Sequence, residues 1–272
     1  MIKLSSFISK IFIIRDYLKS KKMFCHYKAT MDSSHFFFNF PVKIVPFQQI
    51  SSFEFFDYYS VFYYWVSDFL KDKDSLNILT LGGVKMGDAI LSLKHNVTSI
   101  VLDDPLDRIS KVRYIKHDVF YPLPFKDRTF DVFISPATLH LVGLGRYGDK
   151  LSPHTLFNFL NELRRVLRIG AEVFICIPLG KNVLIFNHHY IFEFDTILKI
   201  FKGFELVDYL VDEWAGVPGY ASPTDLKALG MSISNKNYRH INKSRFTKNV
   251  DVSFLKPKEY KIIYLHFRFK SD

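Results

Sequence analysis

The sequence predicts an α/β fold with a mostly parallel β-sheet covered on both faces, and three observations predict it. Apolar runs of strand length recur between residues 76 and 178, several alternating with helical spacing. Two glycines, Gly82 and Gly83, stop the first run. An acid, Asp103, stands 21 residues after Gly82, at the end of the second run.

The elements follow in order. Residues 1–70 form an aromatic-rich N-terminal helical extension or lid, with Phe36-Phe37-Phe38, Phe55-Phe56 and Tyr63-Tyr64-Trp65. Phe7, Ile8, Ile11, Ile14 and Leu18 share one side of an amphipathic helix within Met1–Met23. Phe55, Tyr59, Phe62 and Val66 mark the face of a second helix over 52–70, with Ser51 or Ser52 as its N-cap. The α/β domain spans 71–272. Its first strand is Leu76–Leu81, followed by a helix over 85–94 and strands at 97–102, 112–115 and 130–135. A helix over 153–168 has Ser152 as N-cap and Pro153 at its first position. Strand 172–177 ends at Pro178. Strands at 204–211 and 261–269 flank an insertion at 215–257 rich in Gly, Pro, Ser, Asn and Lys, and close the sheet with an antiparallel C-terminal edge.

The chain of 272 residues, 48% hydrophobic, suits one sizeable domain with decorations. Its formal charge of +10 is uneven. Residues 1–30 hold seven Lys/Arg against one acid and 227–272 hold eleven against three, leaving residues 31–226 at −4. An acidic body argues against a nucleic-acid enzyme, as does the lack of an Asn/Asp-Pro-Pro-Tyr base-flipping motif. Basic ends fit solvated lysines, an anionic membrane surface or an acidic substrate. Two cysteines, Cys25 and Cys176, exclude a Cys-based zinc site by count and point to a reducing, cytoplasmic setting, with peripheral contact at the inner membrane face as an option. No apolar run reaches the roughly 18–20 residues of a membrane span. Lys10 and Arg15 interrupt the N-terminal apolar run, which argues against a signal peptide.

The site residues cluster at predicted strand ends. Gly82 and Gly83 permit close backbone approach of a cofactor. Asp103, with Asp104 as rival, is placed to accept ribose hydroxyls. This spacing alone leaves a nicotinamide cofactor open. Asp118 follows the third strand.

A resemblance narrows the choice. The run IKHDVFYPLPFKDRTFDVFIS, from Ile115 to Ser135, and the run ELRRVLRIGAEVFICIP, from Glu162 to Pro178, resemble class I S-adenosylmethionine (SAM) dependent methyltransferases. The resemblance implies a Rossmann-like class I methyltransferase fold, SAM as cofactor, Asp118 toward the adenine amine, and Ser135 beside the cofactor. GLGRYGDK (Gly143–Lys150) and FNHHYIF (Phe186–Phe192) resemble a narrower methyltransferase-like family, DUF268. Val84 and Met86 depart from the usual alternating glycines, and His140-Leu141 replace an expected Glu-His.

The loop after the fourth strand lies on the ligand edge of such sheets. Arg146 can hold a carboxylate or phosphate in a fork, or pair with Asp149 to fix the loop. Asp149 can otherwise take a hydroxyl proton. Tyr147 and Asn187 line an acceptor pocket. His140 is the first candidate base, with His188 or His189 as alternatives, against a structural role for each. A His/His/Asp metal site has no spacing signature, so no metal is expected. The expected function is O-methyl transfer from SAM to a sugar or other small polar molecule, and the resemblance implies a setting in surface polysaccharide biosynthesis. The alternative is a catalytically degenerate fold serving as a binding or scaffold module in glycan assembly.

Overall fold

The computed structural model describes residues 14–15, 17–22, 24–25, 29, 58–82, 85–186, 188–212, 246–255 and 259–270. The sequence expectations for residues 1–13, the aromatic run at 36–38, Phe55-Phe56, Gly83, Val84, Asn187 and most of the 215–257 insertion lie outside them. The chain divides into two compact units, Met1–Glu54 and Phe55–Asp272. In the first unit, residues 14–15, 17–22 and 24–25 are helical, with Ile14 and Leu18 exposed. Among the described residues no helix is long and apolar enough to cross a membrane.

The second unit runs α1 (Tyr58–Leu70), β1 (Asn77–Leu81), α2 (Lys85–Leu91), β2 (Asn96–Val101), β3 (Val112–Lys116) and β4 (Phe130–Pro136). A 3-10 turn (Leu139–Leu141), α3 (Thr155–Val166), β5 (Leu167–Gly180), β6 (Val183–Ile185) and β7 (His189–Ile191) follow. The order ends with α4 (Phe194–Ile200), β8 (Phe204–Asp212), β9 (Phe246–Thr247) and β10 (Tyr260–Phe269). The main sheet has the order β3-β2-β1-β4-β5-β10-β8-β9. Strands β1 to β5 pair in parallel, while β10 pairs antiparallel to both β5 and β8. Strand order therefore reverses between β1 and β4, the switch point at which open α/β sheets admit ligands.

The strands read as unbroken apolar runs because both faces are covered. Successive side chains of β5 divide between two cores, as a two-residue period requires. Val173, Ile175, Ile177 and Leu179 join Phe133, Phe159 and Leu163 beneath α3. Phe174 and Cys176 join Phe62, Val66 and Tyr264 beneath α1. Phe133 and Phe159 are wholly buried with ring centroids 5.7 Å apart, so truncating either to Ala costs about 3–5 kcal/mol. Cys176 is wholly buried, as its apolar run suggested.

Three details depart from the sequence pattern. Helix α3 begins at Thr155 with His154 as N-cap, and the Ser152 hydroxyl instead accepts the His154 N–H at 3.3 Å. Strand β5 extends to Gly180, past Pro178, because β10 pairs along it from Glu172 to Gly180. The insertion contributes a two-residue strand, β9, so β8 is not the edge of the sheet.

Candidate active site

The crevice at the switch point is shaped by one glycine. Gly82 follows β1 with φ +65°, and a Cβ there would sit 1.9 Å from Thr138 Oγ1. Its lack of a side chain thus admits Thr138, two residues past the end of β4. Thr138 is held by its own hydroxyl donating to Pro136 O at 3.2 Å. Ser135, fully buried at the end of β4, donates to Leu81 O at 3.4 Å and ties β4 to β1.

Beyond β5 the chain turns back as the β6–β7 hairpin, pairing Ile185 with His189. The hairpin packs β7 on the 3-10 turn. His189 thereby meets His140, with ring centroids 6.0 Å apart and planes at 85°. His188 lies against His189, with centroids 4.5 Å apart and the two Nδ1 atoms in direct contact. Tyr260 covers the other side of His189 at 5.2 Å. Both His140 and His189 are buried, and His140 Nδ1 and His189 Nε2 have no hydrogen-bond partner. Burial, reinforced by the neighbouring imidazoles and Arg146, pushes His140 down to about 3. Burial first, then His188 and Arg146, pushes His189 down to about 4. Both rings are therefore neutral at physiological pH.

The Gly143–Lys150 loop delivers Arg146 to the same place. Gly143 has φ +76°, and a Cβ there would lie 2.2 Å from Ser152 O. Arg146 Nη1 donates to His188 O at 3.1 Å and lies 3.2 Å from His188 Nδ1. The Arg146–Asp149 ion pair does not form. Asp149 Oδ2 accepts the N–H groups of Gly143 (2.9 Å) and Gly145 (3.2 Å), while Oδ1 accepts that of Tyr147 (3.2 Å). Those bonds tie its carboxylate to the backbone of its own loop.

Asp118 anchors the far end of the loop. It accepts the Phe120 N–H at 2.9 Å and the Lys150 N–H at 2.8 Å. Asp103 is exposed and paired with Lys116 Nζ through Oδ1 at 2.9 Å. Asp104 pairs instead with Arg108. Asp103, Asp118, Tyr121, Tyr147 and Gly148 line a cleft of about 400 Å³ at the ends of β2 and β3. The structure thus gathers His140, His188, His189 and Arg146 into one cluster, and Asp103, Asp118 and Tyr147 into an adjoining cleft.

Sequence reasoning missed Asp88. It is buried on α2, where it accepts Tyr63 Oη and Thr80 Oγ1, each at 3.0 Å, and a hydrogen bond from Ser99. Burial raises its pKa, while the three hydroxyls oppose that rise. The available signal was Thr80 and Ser99, hydroxyls within apolar strand runs, since buried hydroxyls need a partner. Among the described residues no group of His, Cys, Asp and Glu is arranged to hold a metal ion.

Residues 74–235 match the model of the family described as Caenorhabditis protein of unknown function, DUF268. The chain belongs to this family. No curated protein sequence is significantly similar to it. In three dimensions this DUF268 chain is similar to Burkholderia thailandensis 1,6-didemethyltoxoflavin-N1-methyltransferase, a structure with bound 1,6-didemethyltoxoflavin and S-adenosylhomocysteine. The TM-score is 0.51 at 13% identity, over 78% of each chain. It is also similar to the MccD protein, with a TM-score of 0.50 at 15% identity, over 77% of this chain and 96% of that one. These likenesses establish a Rossmann-like class I methyltransferase fold for the DUF268 chain. Chemically, its site offers two unprotonated ring nitrogens, a guanidinium and a polar cleft on one sheet edge.

Proposed function

We propose that this protein is a SAM-dependent O-methyltransferase acting on a sugar or another small polar acceptor. One observation carries the proposal: the buried, unpartnered nitrogens His140 Nδ1 and His189 Nε2, beside Arg146 at the carboxyl edge of the sheet. A buried nitrogen without a partner is costly in a purely structural site and useful in one that receives a proton.

The adjoining cleft has chemistry that fits the cofactor. Among the described residues Asp103 meets Lys116 through Oδ1, which leaves Oδ2 to accept ribose hydroxyls. Asp118 retains lone pairs beyond its two backbone bonds and can accept an adenine amine. Gly82 follows β1 and Ser135 lies near the end of β4, at the switch point between these two strands. When bound, SAM supplies an electrophilic methyl group. The protein's part is to hold the acceptor oxygen about 3–3.5 Å from that carbon and to receive its proton at His140 or His189. The β6–β7 hairpin and Tyr260 shield the imidazoles from water.

Calorimetry with SAM and S-adenosylhomocysteine tests the proposal, and the absence of binding by either at millimolar concentration would sink it. A second reading is favoured by the contact between Thr138 and Gly82, which narrows the crevice. On that reading the chain is a catalytically degenerate binding or scaffold module in glycan assembly, attached to a membrane-bound complex through its basic ends. Methyl transfer from labelled SAM to an extract of glycan precursors decides against it.

A further inference from the structure

Arg146 is a half-buried cation that pairs with no acid among the described residues. Among the described residues its hydrogen-bond contacts are with His188, all through Nη1, and its guanidinium lies 5.3 Å from the Tyr147 ring centroid. Nε and Nη2, the outer edge of the guanidinium fork, make no hydrogen bond to a described residue. The carboxylate nearest in sequence, Asp149, is committed to three backbone N–H groups. The other neighbours are imidazoles, and Arg146 itself opposes their protonation. A half-buried guanidinium with an open fork edge and no paired acid among the described residues is free to take an anion, and its fork geometry suits a carboxylate, sulfate or phosphate.

We propose that Arg146 seats an anionic group of the acceptor, so that the substrate of this site is an acidic hydroxy compound and not a neutral sugar. The word acceptor rests on the methyl-transfer reading, whereas the anion subsite rests on the geometry alone. The groups facing the imidazoles give the subsite a consequence. His140 faces His189, His188 and Arg146, while His189 faces these and Tyr260, with no acid among the described residues. Burial is the main cause that keeps both rings unprotonated, and an anion on Arg146 offsets the guanidinium charge that adds to it, making each ring a stronger base. The substrate's own acid would thereby prepare the group that removes its hydroxyl proton.

The test is NMR titration of the imidazole resonances of the full chain with sodium sulfate and, separately, sodium acetate, at constant ionic strength. Sulfate represents tetrahedral oxyanions and keeps its charge across the pH range, while acetate represents carboxylates. The expected result is saturable shifts with a Kd of about 1–10 mM for at least one of the two. The titration midpoints of His140 and His189 should rise at saturation. Arg146→Gln should weaken binding by about tenfold or more and abolish the midpoint rise, Arg146→Lys should fall between, and Lys71→Gln, at an exposed lysine paired with Asp68, should match the wild type. No saturable response to either anion, or equal binding by wild type and Arg146→Gln, overturns the proposal. Calorimetry with S-adenosylhomocysteine on the same samples separates the two failures. Cofactor binding with an Arg146-independent anion response removes only the anion subsite. An Arg146-dependent anion response without cofactor binding removes only the methyl-transfer reading.

Discussion

Acidification from pH 7 to pH 5 should destabilise this protein through its buried imidazoles, and His140 sets the magnitude. An unfolded histidine titrates near 6.5, while folding pushes His140 down to about 3. Between those values the unfolded chain binds a proton that the folded chain does not. Stability therefore rises with pH in this window and is lost as pH falls through 6.5 toward 3. At pH 5 the loss from this one group is about 2 kcal/mol relative to pH 7. His189, held near 4, and His95, lowered by its own burial, act in the same direction. Glu162 and Glu172, both held below the usual 4.5, begin to lose their contribution only as pH falls below it, while Asp88, raised by burial, acts in the opposite direction, so the comparison with a His140 variant is what isolates His140. The assay is urea unfolding at pH 7 and pH 5. A slope of about 2–3 kcal/mol/M converts the His140 contribution to a midpoint shift of roughly 0.7–1 M. His140→Leu removes the titrating ring and an unpartnered buried nitrogen, so at pH 7 it should hold wild-type stability to within about 1 kcal/mol. The variant should then lose about 2 kcal/mol less than wild type on going to pH 5. Equal losses in the two proteins would refute the reasoning, because they would mean that His140 already exchanges protons with solvent in the folded state.

Three further predictions come from single contacts. Gly82→Ala forces a left-handed alanine into the space of Thr138 and should cost more than about 2 kcal/mol by thermal unfolding, with Thr138→Gly restoring part of it; an unchanged midpoint would contradict the packing. Asp149→Asn weakens the acceptor of three loop amides by about 1–3 kcal/mol. The Gly143 and Gly145 amides should then exchange faster while β1 and β4 amides keep their protection, and a uniform change would contradict a local role. Asp88→Ala leaves the Tyr63 and Thr80 hydroxyls without this acceptor and should cost about 2–4 kcal/mol, whereas Asp88→Asn keeps an acceptor and should cost less; equal urea midpoints for the two variants would count against that network.

The fold was legible because both sheet faces are buried. Continuous runs such as Phe130–Ser135 and Glu172–Ile177 have no other stable use at strand length, and Gly82-Gly83 marks where the first one turns. Strand ends were less legible, since the C-terminal extension of β5 pairs with β10, 80 or more residues away. The histidine cluster was visible only as separate residues. His140 and His189 meet because a three-residue hairpin folds back over β5, and such short strands carry too little periodicity to be read. Asp88 was hidden for a different reason. An acid one turn into a helix reads as a favourable dipole partner on the surface, and only the strand hydroxyls opposite reveal that it points inward.

The Gly-Leu-Gly-Arg-Tyr-Gly-Asp motif divides its labour unequally. Gly143 is needed because a side chain would strike Ser152 O, and Leu144 is buried in the sheet's unit. Asp149 closes the loop on its own amides, and Asp118 holds the next residue, Lys150, from outside. The loop is therefore fixed at both ends by carboxylates that accept backbone N–H groups, and neither of these is an ion-pair partner for Arg146. This arrangement keeps the guanidinium uncompensated while positioning it firmly on His188. A motif serving only loop closure would work as well with a neutral residue at 146. A half-buried cation there, beside two neutral imidazoles and with its outer fork edge open, is well placed to meet a negative group arriving from solution. The charge at Arg146, more than the glycines that draw the eye, is thus what links this loop to chemistry.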